Sequence, residues 1–171
     1  WSDAAQGALV ERDLASGQTR TLTNKPGFYY APTYSRDGSH IAYAKTAGGS
    51  ISGNLNAGEA GIYLMPTNGV MATRIAKSGS NPQFAADGQR VYFLTGNGLK
   101  KKLQSVGIHG EEPRDVFDLK YVDAVSLSPD GQWVAFTELF NAYVAPLPQT
   151  GTAIELSKDT KAIPVTQVSK D

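Results

Sequence analysis

Short runs of alternating apolar and polar residues dominate the chain, and a turn dipeptide closes many of them. After residue 123, Val125 and Leu127 alternate with polar neighbours, and Asp130-Gly131 follows at once. Because strand side chains point alternately to opposite faces, this period of two predicts half-buried β-strands. The glycine accommodates the positive φ that a tight hairpin turn requires. The pattern therefore predicts an all-β chain of short strands joined by tight turns.

One phrase occurs three times along the chain. Its copies occupy residues 31–44, 81–94 and 124–137, and each contains an Asp-Gly pair followed by an aliphatic–aromatic segment. The pairs begin at Asp37, Asp87 and Asp130, so the spacings are 50 and 43 residues. Repeats of about 40–50 residues with four short strands each are typical of β-propeller blades. We therefore expect an incomplete β-propeller of about three and a half four-stranded antiparallel blades.

The repeat also predicts blade boundaries and strands. The predicted units are a half blade at 1–24, blades at 25–78 and 79–118, and a blade with the lead-in to a missing blade at 119–171. The half blade has strands at 8–14 and 19–23. Strands A to D of the full blades fall at 33–35, 41–45, 62–66 and 72–76, then at 83–85, 91–95, 103–108 and 113–117, then at 124–128, 133–137, 142–147 and 153–156. In strand B of the last blade, Val134 and Phe136 are predicted to share the buried side with Val91 and Phe93 of the neighbouring repeat.

The connections divide between two faces of the predicted blades. The A-to-B and C-to-D turns are short, whereas the B-to-C and D-to-A connections are long and irregular, at 24–32, 46–61, 78–82, 96–102 and 118–123. Function concentrates on variable loops carried by a rigid scaffold, so we predict that the second face binds a partner. The candidate binding residues are Phe28, Tyr29, Tyr30, Lys100, Lys101, Lys102 and Tyr121. The alternatives are a solvated lysine loop tip and aromatic side chains that pack between blades.

Composition narrows the choice of partners. The chain has 16 basic and 16 acidic residues, and this balance argues against nucleic-acid binding driven by net charge. Cysteine is absent from the sequence, so disulfides and thiolate metal sites are excluded. No apolar run approaches the ~20 residues of a membrane span, and we expect none. The chain does not begin with Met and starts in repeat register, which indicates a piece of a longer protein.

No catalytic constellation emerges from the residues. His40 occupies a slot taken by Arg90 and Trp133 in the other repeats, and His109 lies in a predicted turn. A metal site needs three or four convergent ligands, and the two histidines belong to different repeats. Turn chemistry explains the three aspartates of the Asp-Gly pairs. No serine lies in a Gly-x-Ser-x-Gly elbow. We therefore assign no catalytic, cofactor-binding or metal-binding residue to this chain.

Two further features carry a family resemblance. The phrases Tyr-Ser-Arg-Asp-Gly at 34–38 and Leu-Ser-Pro-Asp-Gly at 127–131, with the strand Ile62-Tyr63-Leu64, resemble the TolB-like class of WD40-like (PD40) repeats. The tail 162–171 and the opening Trp1-Ser2-Asp3 more closely resemble the propeller region that precedes the catalytic domain of certain bacterial amidohydrolases. This resemblance implies a non-catalytic segment of a larger periplasmic or secreted hydrolase, which shapes substrate access. Any divalent metal of the parent would lie on a separate domain, because the His-x-His motif of that domain does not occur here.

Two alternatives remain open at this stage. A TolB-type scaffold would bind a periplasmic protein without any enzyme, and a prolyl-oligopeptidase-like serine peptidase would use such a propeller as a gate. The expected partner of the chain is the remainder of its parent protein. Terminal blades of an open array expose apolar flanks, so we also expect the fragment to self-associate.

Overall fold

A computed structural model describes residues 2–3, 7–46, 59–69, 71–149 and 152–169 of the protein. Within these residues the secondary structure is β-strand apart from one 3-10 turn at Gly98–Lys100. The strands are β1 (Ser2–Asp3), β2 (Ala8–Arg12), β3 (Thr19–Thr21), β4 (Phe28–Tyr34), β5 (His40–Thr46), β6 (Gly61–Pro66), β7 (Thr73–Ala76), β8 (Ser80–Phe84), β9 (Arg90–Thr95), β10 (Lys101–Gly107), β11 (Arg114–Leu119), β12 (Val122–Leu127), β13 (Trp133–Glu138), β14 (Asn141–Pro146), β15 (Ile154–Leu156) and β16 (Thr166–Gln167). The predicted long connection 46–61 falls mainly on 47–58, outside the described residues.

The strands form four sheets whose order follows the chain almost throughout. Strands β1 to β3 form one sheet and β4 to β7 the next. The third sheet has the order β8-β9-β10-β11 with β15 added outside β11, and the fourth has the order β12-β13-β14-β16. Antiparallel pairing joins the strands, with β11 and β15 as a parallel pair. The predicted fold class, an all-β incomplete propeller of antiparallel blades, is confirmed.

The chain divides into two compact units, Trp1–Pro82 and Gln83–Asp171. The core of the first unit joins its two sheets through Leu9 of β2, Ile41 and Tyr43 of β5, and Met65 of β6, all of them buried. Ile41 and Tyr43 are two positions apart, so they project from the same face of β5. This face of β5 therefore holds the first unit together.

The core of the second unit confirms one part of the predicted register and corrects another. Val134 and Phe136 are buried, whereas Trp133, at the beginning of the same strand, is exposed. The cluster around them takes Tyr92 and Leu94 from β9, and not Val91 and Phe93 as expected. Stacked sheets meet through opposite faces, so equivalent positions of two repeats do not meet each other.

The prediction for the outer strand of the last blade is wrong. Residues 153–156 are predicted to lie beside β14, but β15 pairs in parallel with β11, through Phe117–Ile154 and Leu119–Leu156. The segment then returns, and β16 takes the outer place beside β14, with Thr166 opposite Val144. The tail expected to approach a further blade thus completes its own blade. Turn residues at 149–151 signal a strand but do not determine which edge receives it.

The first strands of two repeats begin earlier than predicted. Strand β4 runs across Pro32 back to Phe28, and β8 runs across Pro82 back to Ser80. In β4 the register shifts between Tyr30 and Thr33, and Ala31 has a φ of 48°. A bulge accommodates proline in a strand because the local ladder is already interrupted. Phe28, Tyr29 and Tyr30 therefore belong to a strand and not to a loop.

The three Asp-Gly pairs form the predicted turns. Asp37, Asp87 and Asp130 each accept the backbone N–H two residues ahead, at 2.9–3.0 Å. In the first and third turns a serine hydroxyl, from Ser35 or Ser128, also donates to the aspartate. These hydrogen bonds lower the pKa of Asp130 and lower that of Asp37 from 3.8 to about 2, with the Ser35 bond as the largest cause for Asp37.

Replacement of Phe136 by Ala should destabilise the protein by about 3–5 kcal/mol, because it removes a buried aromatic ring and leaves a cavity. Chemical denaturation of the two proteins measures this difference. Trp133→Ala, on the exposed face of the same strand, is the matched control and should cost about 1 kcal/mol or less. An unchanged denaturation midpoint for Phe136→Ala would contradict the register of β13.

The turn at Asp37 should make stability depend on pH in the acid range. The folded-state pKa lies below the unfolded value, so the stabilisation is complete above about pH 4 and is lost as the pH falls towards 2. Thermal melts of the protein and of Asp37→Asn between pH 5 and 2 test this. The variant should lose less stability over that interval. Asp87→Asn, in the turn where Ala85 stands in place of the serine, is the control and should change the slope less.

Candidate functional site

The predicted lysine run lies at the beginning of a strand of the second unit. Lys100 ends the 3-10 turn and is exposed, whereas Lys101 and Lys102 are the first residues of β10. The Nζ atom of Lys101 donates to the backbone carbonyls of Val122, at 2.8 Å, and Asp123, at 3.3 Å. Lys101 therefore joins β10 to the beginning of β12, and its ammonium has a structural role.

Lys102 is also engaged within the unit. Its Nζ atom lies 2.6 Å from Asp115 Oδ2 and 3.3 Å from Asp118 Oδ1. The hydrogen bond to Asp115 is the main reason why the pKa of Lys102 lies above its ordinary value. The same carboxylate accepts a hydrogen bond from Gln104, which with Lys102 lowers the pKa of Asp115. Of the three lysines, Lys100 is the one left exposed to meet a partner.

Three connections of the second unit lie at the same end of its sheets. Lys101 pairs with Leu119, and Val122 pairs with Glu138, so the residues that precede or follow these pairs emerge at one edge. We call this region the loop edge. Its exposed side chains are Leu99, Lys100, Lys120, Tyr121, Leu139 and Phe140. The structure thus brings two predicted residues, Lys100 and Tyr121, to one edge with four that were not predicted.

The most unusual part of the loop edge is the turn between β13 and β14. Leu139 and Phe140 are its two residues, with φ angles of 48° and 70°. Two-residue hairpin turns with two positive φ angles strongly favour Asn-Gly, because a side chain at positive φ is strained. Phe140 is fully exposed, and Leu139 is 58% exposed. Two large apolar side chains therefore stand in solvent in a backbone conformation that disfavours them.

Tyr121 and Lys120 form the middle of the loop edge. Tyr121 is 52% exposed, and the Lys120 ammonium lies 5.8 Å from the centre of its ring. A cation near an aromatic face is attracted by the ring quadrupole. Asp118 and Asp123, both exposed, are the nearest carboxylates along the chain. The edge combines apolar and aromatic side chains with two exposed ammonium groups.

The predicted aromatic residues of the first unit separate onto two faces of β4. Tyr29 projects to one face, while Phe28 and Tyr30 project to the other, because they alternate along the strand. The Tyr30 hydroxyl donates to the carbonyl of Gly79 at 3.3 Å. All three side chains are half-buried, so none is a freely exposed loop aromatic.

Tyr29 belongs to a cluster that the sequence analysis missed. Its ring lies edge-on to Tyr43 at 5.5 Å, and Tyr43 stacks on Tyr63 at 5.6 Å with an interplanar angle of 7°. The Lys45 ammonium lies 5.4 Å from the centre of the Tyr29 ring. A cavity of about 440 Å³ opens beside this cluster and is also lined by Lys25 and Met65. We call it the tyrosine cavity.

Burial raises the pKa of the tyrosine side chains that line the tyrosine cavity. Desolvation is the largest cause for Tyr29, Tyr43 and Tyr63, and the pKa of each is raised. The Tyr29 hydroxyl donates to the Lys25 carbonyl at 2.8 Å, and the Tyr63 hydroxyl donates to that of Glu59 at 2.7 Å. The phenols are therefore neutral at physiological pH, and the cavity presents aromatic faces and lysine ammonium groups.

The two histidines lie apart from any cluster of metal ligands among the described residues. Ser39 Oγ lies 2.7 Å from Nδ1 of half-buried His40, and His109 is exposed in the turn after β10. Across the ranges that the structure describes, no group of three His, Cys, Asp or Glu side chains has the arrangement of a metal site. None of the helical turns in those ranges has the length and apolarity needed to cross a membrane.

The sequence contains a signal for the exposed Leu139-Phe140 turn, which was not among the predicted binding residues, but none for the Tyr43–Tyr63 pair. Glu138 and Asn141 flank a two-residue connection, Leu139-Phe140, that lacks any of the usual turn residues. Such an apolar pair is unusual in a two-residue hairpin turn, because these turns favour Asn, Asp and Gly. Tyr43 and Tyr63 lie directly opposite each other in β5 and β6, but pairing register is not readable from one strand alone.

Comparison with known proteins supports the fold. No family model matches the chain. TolB from Acinetobacter baumannii is 20% identical, with a TM-score of 0.59 over 81% of this chain and 34% of that chain. A chain in the crystal structure of a nidogen/laminin complex is 14% identical, with a TM-score of 0.57 over 82% of this chain and 54% of that chain. The fold is thus a TolB-like β-propeller fold, and the chain spans about a third of the TolB chain it matches.

Replacement of Leu139-Phe140 by Asn-Gly should stabilise the protein by about 1–2 kcal/mol, because both new residues tolerate positive φ and little buried area is lost. Denaturant unfolding of the double variant measures the change. Leu99→Asn, an exposed apolar residue without positive φ, is the control and should leave stability within about 0.5 kcal/mol. Destabilisation of the double variant would show that the apolar pair supports the fold.

Proposed function

We propose that this chain is a non-catalytic propeller segment of a larger bacterial hydrolase and that its loop edge packs against another domain of that protein. The observation that carries the proposal is the exposed turn Leu139-Phe140. Strained residues at positive φ persist where function requires them, because each costs about 1–3 kcal/mol. Here the strain presents two apolar side chains to solvent, which is the arrangement expected of an interface that a partner covers.

The composition of the loop edge fits a protein partner. Interfaces are enriched in aromatic side chains and have a polar rim, and the edge places Tyr121 and Phe140 beside Lys100 and Lys120. Aromatic anchors such as these commonly dominate the binding energy. The two ammonium groups favour a partner surface that carries carboxylates near its apolar part.

A sequence resemblance supports the hydrolase part of the proposal. In sequence, the segments at 1–3 and 162–171 resemble the propeller region of bacterial amidohydrolases. In this proposal the propeller restricts or shapes access to a catalytic domain elsewhere in the parent, which would carry any divalent metal. The protein would act in the periplasm or outside the cell.

A TolB-type scaffold is the second candidate, and the structural likeness to TolB favours it. In that case the chain needs no catalytic domain, and the loop edge would bind a separate periplasmic protein. Both candidates use the same surface. They differ in whether the partner belongs to the same polypeptide.

The sequence of the source gene beyond the codon for Asp171 separates the two candidates. A barrel with a His-x-His motif would support the hydrolase, and a stop codon shortly after ring closure would support the scaffold. In the intact protein, hydrogen exchange at 119–123 and 138–141 should be slower than in this chain alone. Equal exchange in the two samples would contradict a covered loop edge inside the parent. The double variant Leu139→Asn, Phe140→Gly should lose the protection without losing its fold.

A further inference from the structure

The two units contain equivalent aromatic pairs, each at the same distance from an Asp-Gly turn. Tyr43 of β5 lies opposite Tyr63 of β6, and Phe136 of β13 lies opposite Tyr143 of β14. Both pairs are stacked, with ring centres 5.6 Å and 5.3 Å apart. Each pair follows its Asp-Gly turn at the same spacing, because Tyr43 and Phe136 both lie six residues after the aspartate. The two places can therefore be compared directly.

In the second unit a segment of the chain itself covers this pair. After β14 the chain lays β15 along the outer edge of β11, and Leu156 becomes fully buried in the core. Ile163 and Val165, from the returning part, pack against the same cluster. Tyr143 is left only 6% exposed. An extended segment thus fills the space beside the aromatic pair and extends the neighbouring sheet.

In the first unit the equivalent place is open among the described residues. Tyr63 is only half-buried, and the tyrosine cavity of about 440 Å³ lies beside it. Met71, on the cavity wall, is 87% exposed. Strand β3 is the outermost strand of its sheet, as β11 would be without β15, and its three residues are exposed. The first unit therefore has both an open space beside its aromatic pair and an outer strand edge, the two features that β15 and its flanks occupy in the second unit.

The charge at this place is reversed between the units. Buried Glu138, eight residues after the aspartate of its turn, accepts the N–H of Lys158, from the covering segment, at 2.7 Å. Lys45 occupies the equivalent position in β5, also eight residues after the aspartate. Lys25 lines the tyrosine cavity as well, and the described residues that form its lining include no carboxylate. Where the second unit presents an acceptor, the first unit presents a donor.

We propose that the tyrosine cavity is a docking site for an extended, apolar and acidic peptide segment of a partner protein. The segment adds a parallel strand to the outer edge of β3, which is the known mode of strand addition to an exposed sheet edge. Its apolar side chains enter the cavity beside Tyr43 and Tyr63. A carboxylate of the segment binds the Lys45 ammonium. This site lies in the first unit and is independent of the loop edge.

The methionines provide a specific readout on the full chain. The sequence contains two, and both Met65 and Met71 line the tyrosine cavity. Methyl-¹³C labelling of methionine therefore gives two NMR signals that report on this cavity. The probe is a synthetic peptide of residues 152–165 with Lys158→Glu and Lys161→Glu, which keeps the apolar pattern of the natural covering segment. The unmodified peptide and a scrambled acidic peptide are the comparison probes.

The acidic peptide should shift both methionine signals and should bind about three- to tenfold more tightly than the unmodified peptide. Lys45→Glu should reverse this preference, and Lys45→Gln should abolish it. Lys77→Glu makes the same charge change at an exposed position of the first unit outside the cavity lining and should leave the preference intact. Thermal melts establish that each variant is folded.

Three results would overturn the proposal. The first is the absence of shifts in the methionine signals with both the acidic peptide and the unmodified peptide. The second is equal binding of the scrambled acidic peptide, or equal shifts with acetate alone, because the site would then recognise only negative charge. The third is an unchanged preference for the acidic peptide in the folded Lys45→Glu variant, since the peptide carboxylate would then not bind at Lys45.

Discussion

Central strands in both units of this chain carry apolar side chains on both faces, so each face of their sheets must be covered by other residues. In β5 and β9 four consecutive residues are buried, which one packed face cannot achieve. A four-stranded sheet with this property is unstable alone and gains stability from stacking, as in other repeat arrays. The cores of both units follow from this requirement. So does the importance of any place where the covering sheet or segment is incomplete.

The last blade shows how the chain meets this requirement with a segment instead of a sheet. Its connection between β14 and β16 is long enough for β15 to pair with the edge of the preceding sheet before β16 pairs with β14. Leu156 fills the core on the way, and the Lys158 N–H satisfies buried Glu138. A buried carboxylate without such a donor would be costly. The detour therefore completes both the packing and the hydrogen bonding of the second unit.

The sequence predicts local features of this fold better than pairing between distant segments. The Asp-Gly turns and the alternation of Val134 and Phe136 depend on neighbouring residues, and the structure agrees with both. The bulge at Pro32 and the parallel partner of β15 depend on residues outside each local pattern, so proline and turn signals were misleading there. At the candidate sites, the charge run and the aromatic residues of the predicted connections pointed to Lys100 and Tyr121, which are both exposed. Lys101 and Lys102 look equivalent to Lys100 in the sequence, but only contacts with Val122 and Asp115 show that they are engaged.

Some positions of this chain recur in all three repeats, and others differ between them. Asp37, Asp87 and Asp130 recur because every blade needs the same turn, and their hydrogen bonds remain within it. By contrast, Leu139-Phe140 is a two-residue connection where the other repeats have longer ones, and Lys45 stands where they have Thr95 and Glu138. The first change costs backbone energy and the second reverses a charge beside an aromatic pair. The turn leaves Leu139 and Phe140 in solvent, and Lys45 lies over the Tyr29 ring of its own blade and also lines the tyrosine cavity, so these side chains remain available for the two contacts proposed above.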